Sequence, residues 1–527
     1  MRLSRPMRSV PAAVATILLL IILAAPSPAP APAQSSAAER VRLPFPAYDG
    51  TLTPYTFALG YPLVTLVYDT LLLRDAGGIP RPWLARSIER SDGGRRLTIR
   101  LRDGVRWHDR RALTAEDVAY TFRFVARHYH PRFTPQLSAV ERVRAAGRLT
   151  VTIDLQRASL GFDDQPLADL PILPRHAWSS VPAGRTAPRG LPLGSGPYRL
   201  VRADPRQGYV FRANRRYFQG GPRVSEIRVP IIGDADRTYA QLRNRRVDMV
   251  PLSVSDGIGR GLASSLGIAL RRGPSFTGTA LVLNLREPPF NRAPARQAVA
   301  GALDPASIAR SVAPAVAADH GFLHPESRWS ASGNVPTVGA GAKSLPTALG
   351  AATVRVLAPR TDPVRREAGR RVVLALREAG ARATLVGLSR SRLERAVGAE
   401  GTRPTFEAAI QTIPSLVSYD PDYLTQLFGS VARRGPLNVS GYSSARFDAL
   451  ARQVASARDP ATRRRATRAE LELLARDLPA IPLFFSQGTF AYRPAIYNGW
   501  VFVKGTGILD KRSFLPPGPA TPRTSST

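Results

Sequence analysis

The chain has 527 residues, with 74 Lys and Arg against 39 Asp and Glu and no cysteine. Its length allows roughly two to four domains of about 100–200 residues, and an apolar content of 44% excludes a wholly disordered chain. The missing thiol excludes disulfides, thiolate metal sites, a cysteine nucleophile and a lipidated N-terminal cysteine. Only Lys343, Lys504 and Lys511 are lysines, so the formal +35 is carried almost entirely by arginine. These arginines are scattered and seldom interleave with aromatics, which favours a solvated basic surface over a nucleic-acid platform. The physical consequence is a salt-sensitive attraction to anionic surfaces, and a secreted polyanion-binding protein is an alternative reading.

In chain order, Arg2, Arg5 and Arg8 precede an apolar stretch from Ala12 to Ala25. It is shorter than the roughly 20 apolar residues that a spanning helix needs. It reads as a secretory signal peptide over residues 1–33, with Ala31-Pro32-Ala33 as the cleavage motif. An apolar, aromatic-punctuated stretch from Gly50 to Leu73 turns at Ala76-Gly77-Gly78. Leu97, Ile99 and Leu101 alternate with polar residues, as do Leu149, Val151, Ile153 and Leu155, which is the period of half-buried strands. Between them, Thr114 followed by Asp117 predicts a capped helix start. Proline-rich connections run from Pro166 to Pro197.

Farther on, a strand from Thr353 to Leu357 is followed by Asp362-Pro363, which cap and open a helix. Val364, Ala368, Val372, Ala375 and Leu376 share one face of that helix, Gly380 stops it, and the next strand runs from Ala383 to Leu388. Strand, helix and strand in that order predict a parallel pair with a right-handed crossover. Phe447, Leu450 and Val454 mark a further helix, and Asp459-Pro460 starts another that carries Leu471, Leu473 and Leu474. Pro479 and Pro482 are expected to bracket a turn into Leu483-Phe484-Phe485, and the Ser/Thr/Pro-rich tail 517–527 is expected to be disordered.

Catalytic motifs fail on inspection. Gly194-Ser195-Gly196 has Leu193 where a nucleophile elbow needs glycine and reads as a turn before Pro197. Gly341-Ala342-Lys343-Ser344 has Ala342 where a phosphate loop needs bare backbone. None of the six histidines forms an HExxH pair, although His128/His130 and His320/His324 are spaced as conceivable chelators, so structural roles and no metal are expected. Asp420 and Asp422 could form the acid/base pair of a secreted hydrolase, but adjacent loop carboxylates more often cap turns.

A set of segments in fixed order carries a resemblance. Tyr68-Asp69-Thr70-Leu71, Pro82-Trp83-Leu84-Ala85-Arg86-Ser87, Leu101 to Asp109 and Leu113 to Val118 resemble the signature stretch of family 5 solute-binding proteins. These are the extracytoplasmic receptors of peptide, dipeptide and nickel ABC importers. The likeness continues through Gly194 to Tyr198, Leu283-Asn284, Pro288-Pro289-Phe290, Arg296 to Asp304, Ser440-Gly441-Tyr442, Phe447 to Leu450 and Pro479 to Leu483. It implies an α/β, two-lobed periplasmic-binding-protein fold with an extra subdomain in the larger lobe. Lobe I would comprise 34–275 and 483–527, its subdomain roughly 81–190, and lobe II 276–482, with crossings near Ser275-Phe276-Thr277 and Phe484-Phe485-Ser486.

The resemblance further implies a periplasmic, non-enzymatic receptor without cofactor. It would capture a peptide or peptide-like solute by hinge closure and deliver it to an ABC permease and, through that, its ATPase. It would act as a monomer, touch the membrane only through the permease and bind no nucleic acid. A nickel chelate, sugar or opine-like solute is the alternative cargo. Peptide-binding members carry an aspartate three residues before an Asp-Pro step, where it meets the peptide α-ammonium; here Asp420-Pro421 fits that step and the anchoring position is Val417. Either Asp420 or Asp422 substitutes for the anchor, or the solute is not held by a free N-terminus. The expected ligand-binding residues are Tyr419, Asp420, Asp422, Tyr423 and Val417 on this loop, with Tyr68 and Phe276.

Overall fold

The computed structural model describes residues 37–57, 59–181, 187–251, 256–265, 267–312, 315–319, 321–330, 344–398, 402–430 and 437–516. The expected signal peptide, the 517–527 tail, His320 and Gly341-Ala342-Lys343 lie outside them. The strands in chain order are β1 (Ala38–Arg42), β2 (Leu72–Arg74), β3 (Pro80–Pro82), β4 (Ala85–Ser91), β5 (Arg96–Leu101), β6 (Val140–Ala145), β7 (Thr150–Leu155) and β8 (Tyr198–Asp204). They continue as β9 (Gly208–Ala213), β10 (Val224–Val229), β11 (Ala269–Leu283), β12 (Ala315–Ala317), β13 (Thr353–Pro359), β14 (Arg382–Leu388), β15 (Ala408–Ile413) and β16 (Ala480–Tyr492).

Local signals act where they were expected. The alternating segments become β5 and β7, which pair antiparallel and turn Leu97, Ile99, Val151 and Ile153 into one core. The helix Ala115–Arg127 begins at Thr114, whose N–H donates to the Asp117 carboxylate at 2.9 Å, and packs Val118 and Phe122 on that sheet. With β4 and β6 this is a four-stranded sheet in the order β4-β5-β7-β6. The helix Pro363–Glu378 is capped by Asp362, which accepts from Arg365 N–H at 2.9 Å, and connects β13 to β14 as a parallel pair. Asp459 likewise caps the helix Pro460–Asp477, accepting from Thr462 N–H at 2.8 Å.

One expectation is corrected. Pro479 and Pro482 do not bracket a turn: the helix stops at Leu478 in the left-handed region (φ 52°), and β16 already starts at Ala480. Pro482 sits within the strand opposite Ala280, beside a register shift between Thr279 and Ala280, where a missing N–H is tolerated.

β11 and β16 are the long strands of the six-stranded sheet β12-β16-β11-β15-β13-β14. They pair from Ala269↔Tyr492 to Pro274↔Gln487, lose register, and resume at Gly278↔Phe485. Residues 275–277 thus form a bulge, which Gly505 meets edge-on, its N–H donating to Pro274 O at 2.9 Å and its O accepting from Phe276 N at 3.3 Å. Gly505 has φ +87°, and a Cβ there would overlap the Phe276 ring, so both conformation and space require glycine. On one side of the bulge lies the core of sheet β1-β10-β9-β8, built on Val41, Tyr198, Phe211 and Ile227; on the other are the cores around Val356 and Leu483 and around Phe276 and Phe447.

The signature segments meet at Asp69, which is fully buried. Its carboxylate accepts from Lys511 Nζ at 2.6 Å, Tyr217 Oη at 2.7 Å, Ser195 Oγ at 2.9 Å and Trp83 Nε1 at 3.0 Å. Ser195 is therefore a structural hydroxyl. A Cβ at Gly194 or Gly196 would overlap carbonyls of Leu66 and Val67, which is why glycine flanks it. His108 clasps the same turn, its Nε2 donating to Gly196 O at 3.0 Å and its Nδ1 accepting from Gly194 N–H at 3.3 Å.

Two outcomes follow. Asp69→Asn strands the Lys511 ammonium and should cost about 3–5 kcal/mol in urea denaturation, part of which Lys511→Met in the same chain should restore. Burial holds the imidazoles of His108 and His130 down at about 4, below the ordinary 6.5. Because the folded values lie below the unfolded one, their stabilisation is complete above pH 6.5 and is lost as pH falls toward 4, on the order of 3 kcal/mol for each. A denaturation midpoint unchanged from pH 7 to 4.5 would contradict this.

Candidate functional site

Pro414 ends β15, and the chain then makes three short turns: the helix Ser415–Tyr419, the 3-10 turn Pro421–Tyr423 and the helix Leu424–Phe428. Asp420 between the first two is extended, and its carboxylate accepts from Asp422 N–H at 3.2 Å. Behind it, the helix Pro460–Asp477 presents the fully buried Arg463, whose Nη2 lies 2.5 Å from Asp420 and 2.9 Å from Asp422 and whose guanidinium stands 4.4 Å over the Trp329 ring. One cation thus serves two carboxylates. Burial pushes the Asp420 carboxyl upward against the pull of Arg463, and the nearby Asp422 charge adds to the rise. Glu470, also buried on that helix, is raised well above the carboxylate range by burial and then by Asp422.

On its outer side this loop forms one wall of a cleft of about 430 Å³. That size falls within the range of small-molecule sites. Asp420, Asp422, Tyr423, Gln426, Asp448 and Arg452 line this wall, and Tyr129, Arg132, Gln136, Arg157, Phe162 and Gln165 line the opposite one. The second wall belongs to the body built on the β4-β5-β7-β6 sheet, since Phe162 packs into its core. Gln136 Oε1, Gln165 Nε2 and Gln426 Oε1 are buried here without a hydrogen-bond partner among the described residues. Buried polar atoms are normally paired, so three unpartnered amides around one cavity make it the candidate site for a polar solute.

Of the residues expected at the ligand, Asp420, Asp422 and Tyr423 come together in this cleft, and the other four do not. Val417 is fully buried on the inner face of its helix, in the core with Phe276 and Phe447. Tyr68 is buried in the separate core around Tyr198, because its strand-like segment is drawn inward by Asp69. Tyr419 and Phe276 pack on each other at 5.2 Å behind the loop. Tyr419 Oη donates to Lys504 O at 2.5 Å and lies 2.8 Å from Thr506 Oγ1, while the Arg74 guanidinium covers its ring at 4.1 Å. Both aromatics therefore serve contacts between bodies and do not face the cavity. The glutamines escaped the sequence reading because an amide carries no spacing signature.

Further contacts tie the two walls. Asp164, beside Phe162, is buried between Arg328, which hydrogen-bonds it, and Arg74 at 3.8 Å. Gly161 lies so close to Asp420 that a Cβ would overlap its carboxylate. Arg132 binds Asp169 through two hydrogen bonds of 3.0 and 2.7 Å and, against the effect of burial, holds that carboxyl below the usual range. Among the described residues no group of three His, Cys, Asp or Glu is placed to hold a metal ion.

The family model for bacterial extracellular solute-binding proteins, family 5 (middle region), matches residues 80–434. The chain belongs to this family. It is 28% identical over 178 residues to the oligopeptide-binding protein AppA of Bacillus subtilis, covering 33% of each chain. It is 32% identical over 254 residues to Protein XP55 of Streptomyces lividans, covering 46% of this chain and 45% of that one. The matches to these curated relatives thus span a third to under half of their length. Among solved structures, AppA of Bacillus subtilis in complex with a nonapeptide superposes with a TM-score of 0.81 at 20% identity, covering 92% of this chain and 100% of that one. MoaA of A. tumefaciens R10 in complex with mannopinic acid superposes at 0.76 and 20% identity, covering 91% and 100%. The family 5 chain therefore has the two-lobed periplasmic-binding-protein fold. No helix among its described residues is long and apolar enough to cross a membrane.

Asp164→Asn should weaken the ties to Arg74 and Arg328 and let the walls part. The expected outcome is a larger radius of gyration in small-angle scattering of the ligand-free variant than of the ligand-free wild type. Equal radii would show that these contacts do not hold the walls together.

Proposed function

We propose that this chain is the extracytoplasmic receptor of an ABC importer, capturing a peptide or peptide-like solute between its walls and handing it to the permease. The observation that carries the reading is the cleft itself. In a family 5 chain, two separately cored bodies face each other across a cavity of about 430 Å³ that holds unpartnered buried amides. Capture and release then require only a difference in solute affinity between open and closed states, with no bond chemistry. The β11–β16 bulge at 275–277, pinned by Gly505, serves as hinge between lobe I (34–275 with 483–527) and lobe II (276–482), with 81–190 as the added subdomain. Delivery to the periplasm uses residues 1–33 as a cleaved signal peptide, and the receptor works as a monomer that meets the membrane only at the permease and its ATPase.

The carboxylates argue about cargo. Asp420 and Asp422 both lie on Arg463, which offsets part of the charge that either could offer a solute ammonium, and Val417 is buried in the core. This supports a solute that is not anchored by a free N-terminus, and it equally favours a non-peptide cargo such as a nickel chelate, sugar or opine-like compound. A charge-assisted hydrogen bond to a buried ammonium is worth roughly 1.5–3 kcal/mol, about ten- to a hundredfold in affinity.

Mass spectrometry of the solute carried through purification identifies the cargo. Calorimetry with a di- to pentapeptide library in free and N-acetylated form should then give affinities within a few-fold of each other. A strong preference for free N-termini, abolished by Asp422→Asn, would assign the ammonium to Asp422. Turnover of the peptides during the titration would overturn the receptor reading.

A further inference from the structure

Gln136 differs from the other cleft amides in that its orientation is imposed. Its Nε2 donates to Arg132 O at 2.9 Å and to Asp169 Oδ2 at 2.7 Å. Both are acceptors, so the nitrogen side is fully used and the amide cannot flip without setting its oxygen against a carboxylate. Oε1 is thereby directed away from them; it is buried without a hydrogen-bond partner among the described residues, in a side chain that lines the cleft. The holder is rigid in turn. Asp169 is buried and receives two further hydrogen bonds from Arg132, Arg132 lies 4.0 Å over the Tyr61 ring, and the Tyr61 hydroxyl donates to Asp169 O.

A buried carbonyl oxygen that has lost water and gained no partner is costly, by an amount comparable to one hydrogen bond. The cost is recovered when an N–H or O–H arrives. It is not recovered by an ester oxygen, a ketone or a carboxylate, which would bring a second lone pair to the same place. The asymmetry is large because a site built around a fixed acceptor penalises ligands that lack the matching donor more than it rewards those that have it. Gln426 Oε1 is a second buried acceptor on the opposite wall, and Gln165 Nε2 is a donor, so the cleft as a whole favours solutes rich in donors that also carry at least one carbonyl.

We propose that Gln136 is a specificity-determining residue, whose Oε1, held by Arg132 and Asp169, accepts an N–H or O–H from the bound solute. The receptor then selects amide-, amino- or hydroxyl-bearing solutes over analogues with an acceptor at that point. This rests on the reading of the cleft as the solute site.

The test uses the full mature chain and the tightest-binding member of a di- to pentapeptide library, resynthesised with an ester oxygen in place of each amide N–H in turn. Wild type should lose roughly tenfold in affinity for one ester analogue beyond its loss for the others. Gln136→Met retains the side-chain length and removes the acceptor. It should remain folded, at a melting temperature lowered by the loss of the Nε2 hydrogen bonds to Arg132 O and Asp169, bind the parent peptide more weakly and erase the discrimination at that one position. Should Met unfold the protein, Gln136→Asn keeps an amide but withdraws it by one methylene, and the same selective loss is expected. Equal weakening toward all analogues would assign Gln136 a merely structural role and overturn the proposal, as would discrimination that survives both substitutions. If wild type binds no library member, the peptide reading of the cleft fails and the proposal falls with it, an outcome visible before any variant is made.

Discussion

The buried ion pair between Asp69 and Lys511 is the constraint on which the rest of the molecule hangs. A carboxylate and an ammonium at 2.6 Å, each almost wholly excluded from solvent, are tolerable only if every remaining lone pair and proton is satisfied. The chain answers that demand with Trp83, Ser195 and Tyr217 on the carboxylate and, for a second of the three ammonium protons, the Tyr68 carbonyl 2.8 Å away. Five segments, from positions 68 to 511, are thereby obliged to meet. Once the C-terminal segment is drawn back onto the N-terminal one, the stretch between β11 and β16 must leave that body and return to it. β11 leads out toward the cores around Val356 and Phe447 and β16 leads back, an arrangement compatible with the closure of this polar site.

That crossing sets the geometry of the cleft. β11 and β16 continue through the bulge at 275–277, so the bodies on either side are joined by paired backbone, and under the proposed function this is where they would pivot. The contacts that bring the walls together are of another kind. Asp164 between Arg74 and Arg328, and Tyr419 against Arg74 and the Lys504 carbonyl, are polar and few, hence reversible. Apolar cores hold each body, and a small set of charged and hydroxyl contacts holds the bodies to each other. This division of labour suits the proposed receptor, which would have to open.

Arginine does more than coat the surface. Arg463 is among the largest fully buried side chains, and Arg132 stacks on Tyr61 while gripping Asp169. A guanidinium with five donors in a plane can serve two carboxylates and an aromatic face at once, which an ammonium cannot. In a chain with almost no lysine, these interior positions explain part of the basic excess, while pairs such as Arg355–Glu407 at 2.7 Å occupy the solvent side.

Features governed by neighbours in sequence were legible without coordinates. The caps at Thr114, Asp362 and Asp459, the alternation of β5 and β7, the β13–β14 crossover and the Gly194-Ser195-Gly196 turn depend on residues a few positions apart, where backbone sterics and local hydrogen bonds decide. The order of the signature segments likewise disclosed the family and its fold, because their packing partners are one another. The site was only half legible. Asp420, Asp422 and Tyr423 were placed in it by their loop, but Val417, Tyr68, Tyr419 and Phe276 turned inward, since which face of a short helix or turn is buried depends on what packs against it. Nothing local links Asp420 to Arg463, Asp164 to Arg328, or Gln136 to Gln426 across a cavity. Those pairings are properties of the closed chain, and they decide which charges are neutralised and which amides are left to meet a solute.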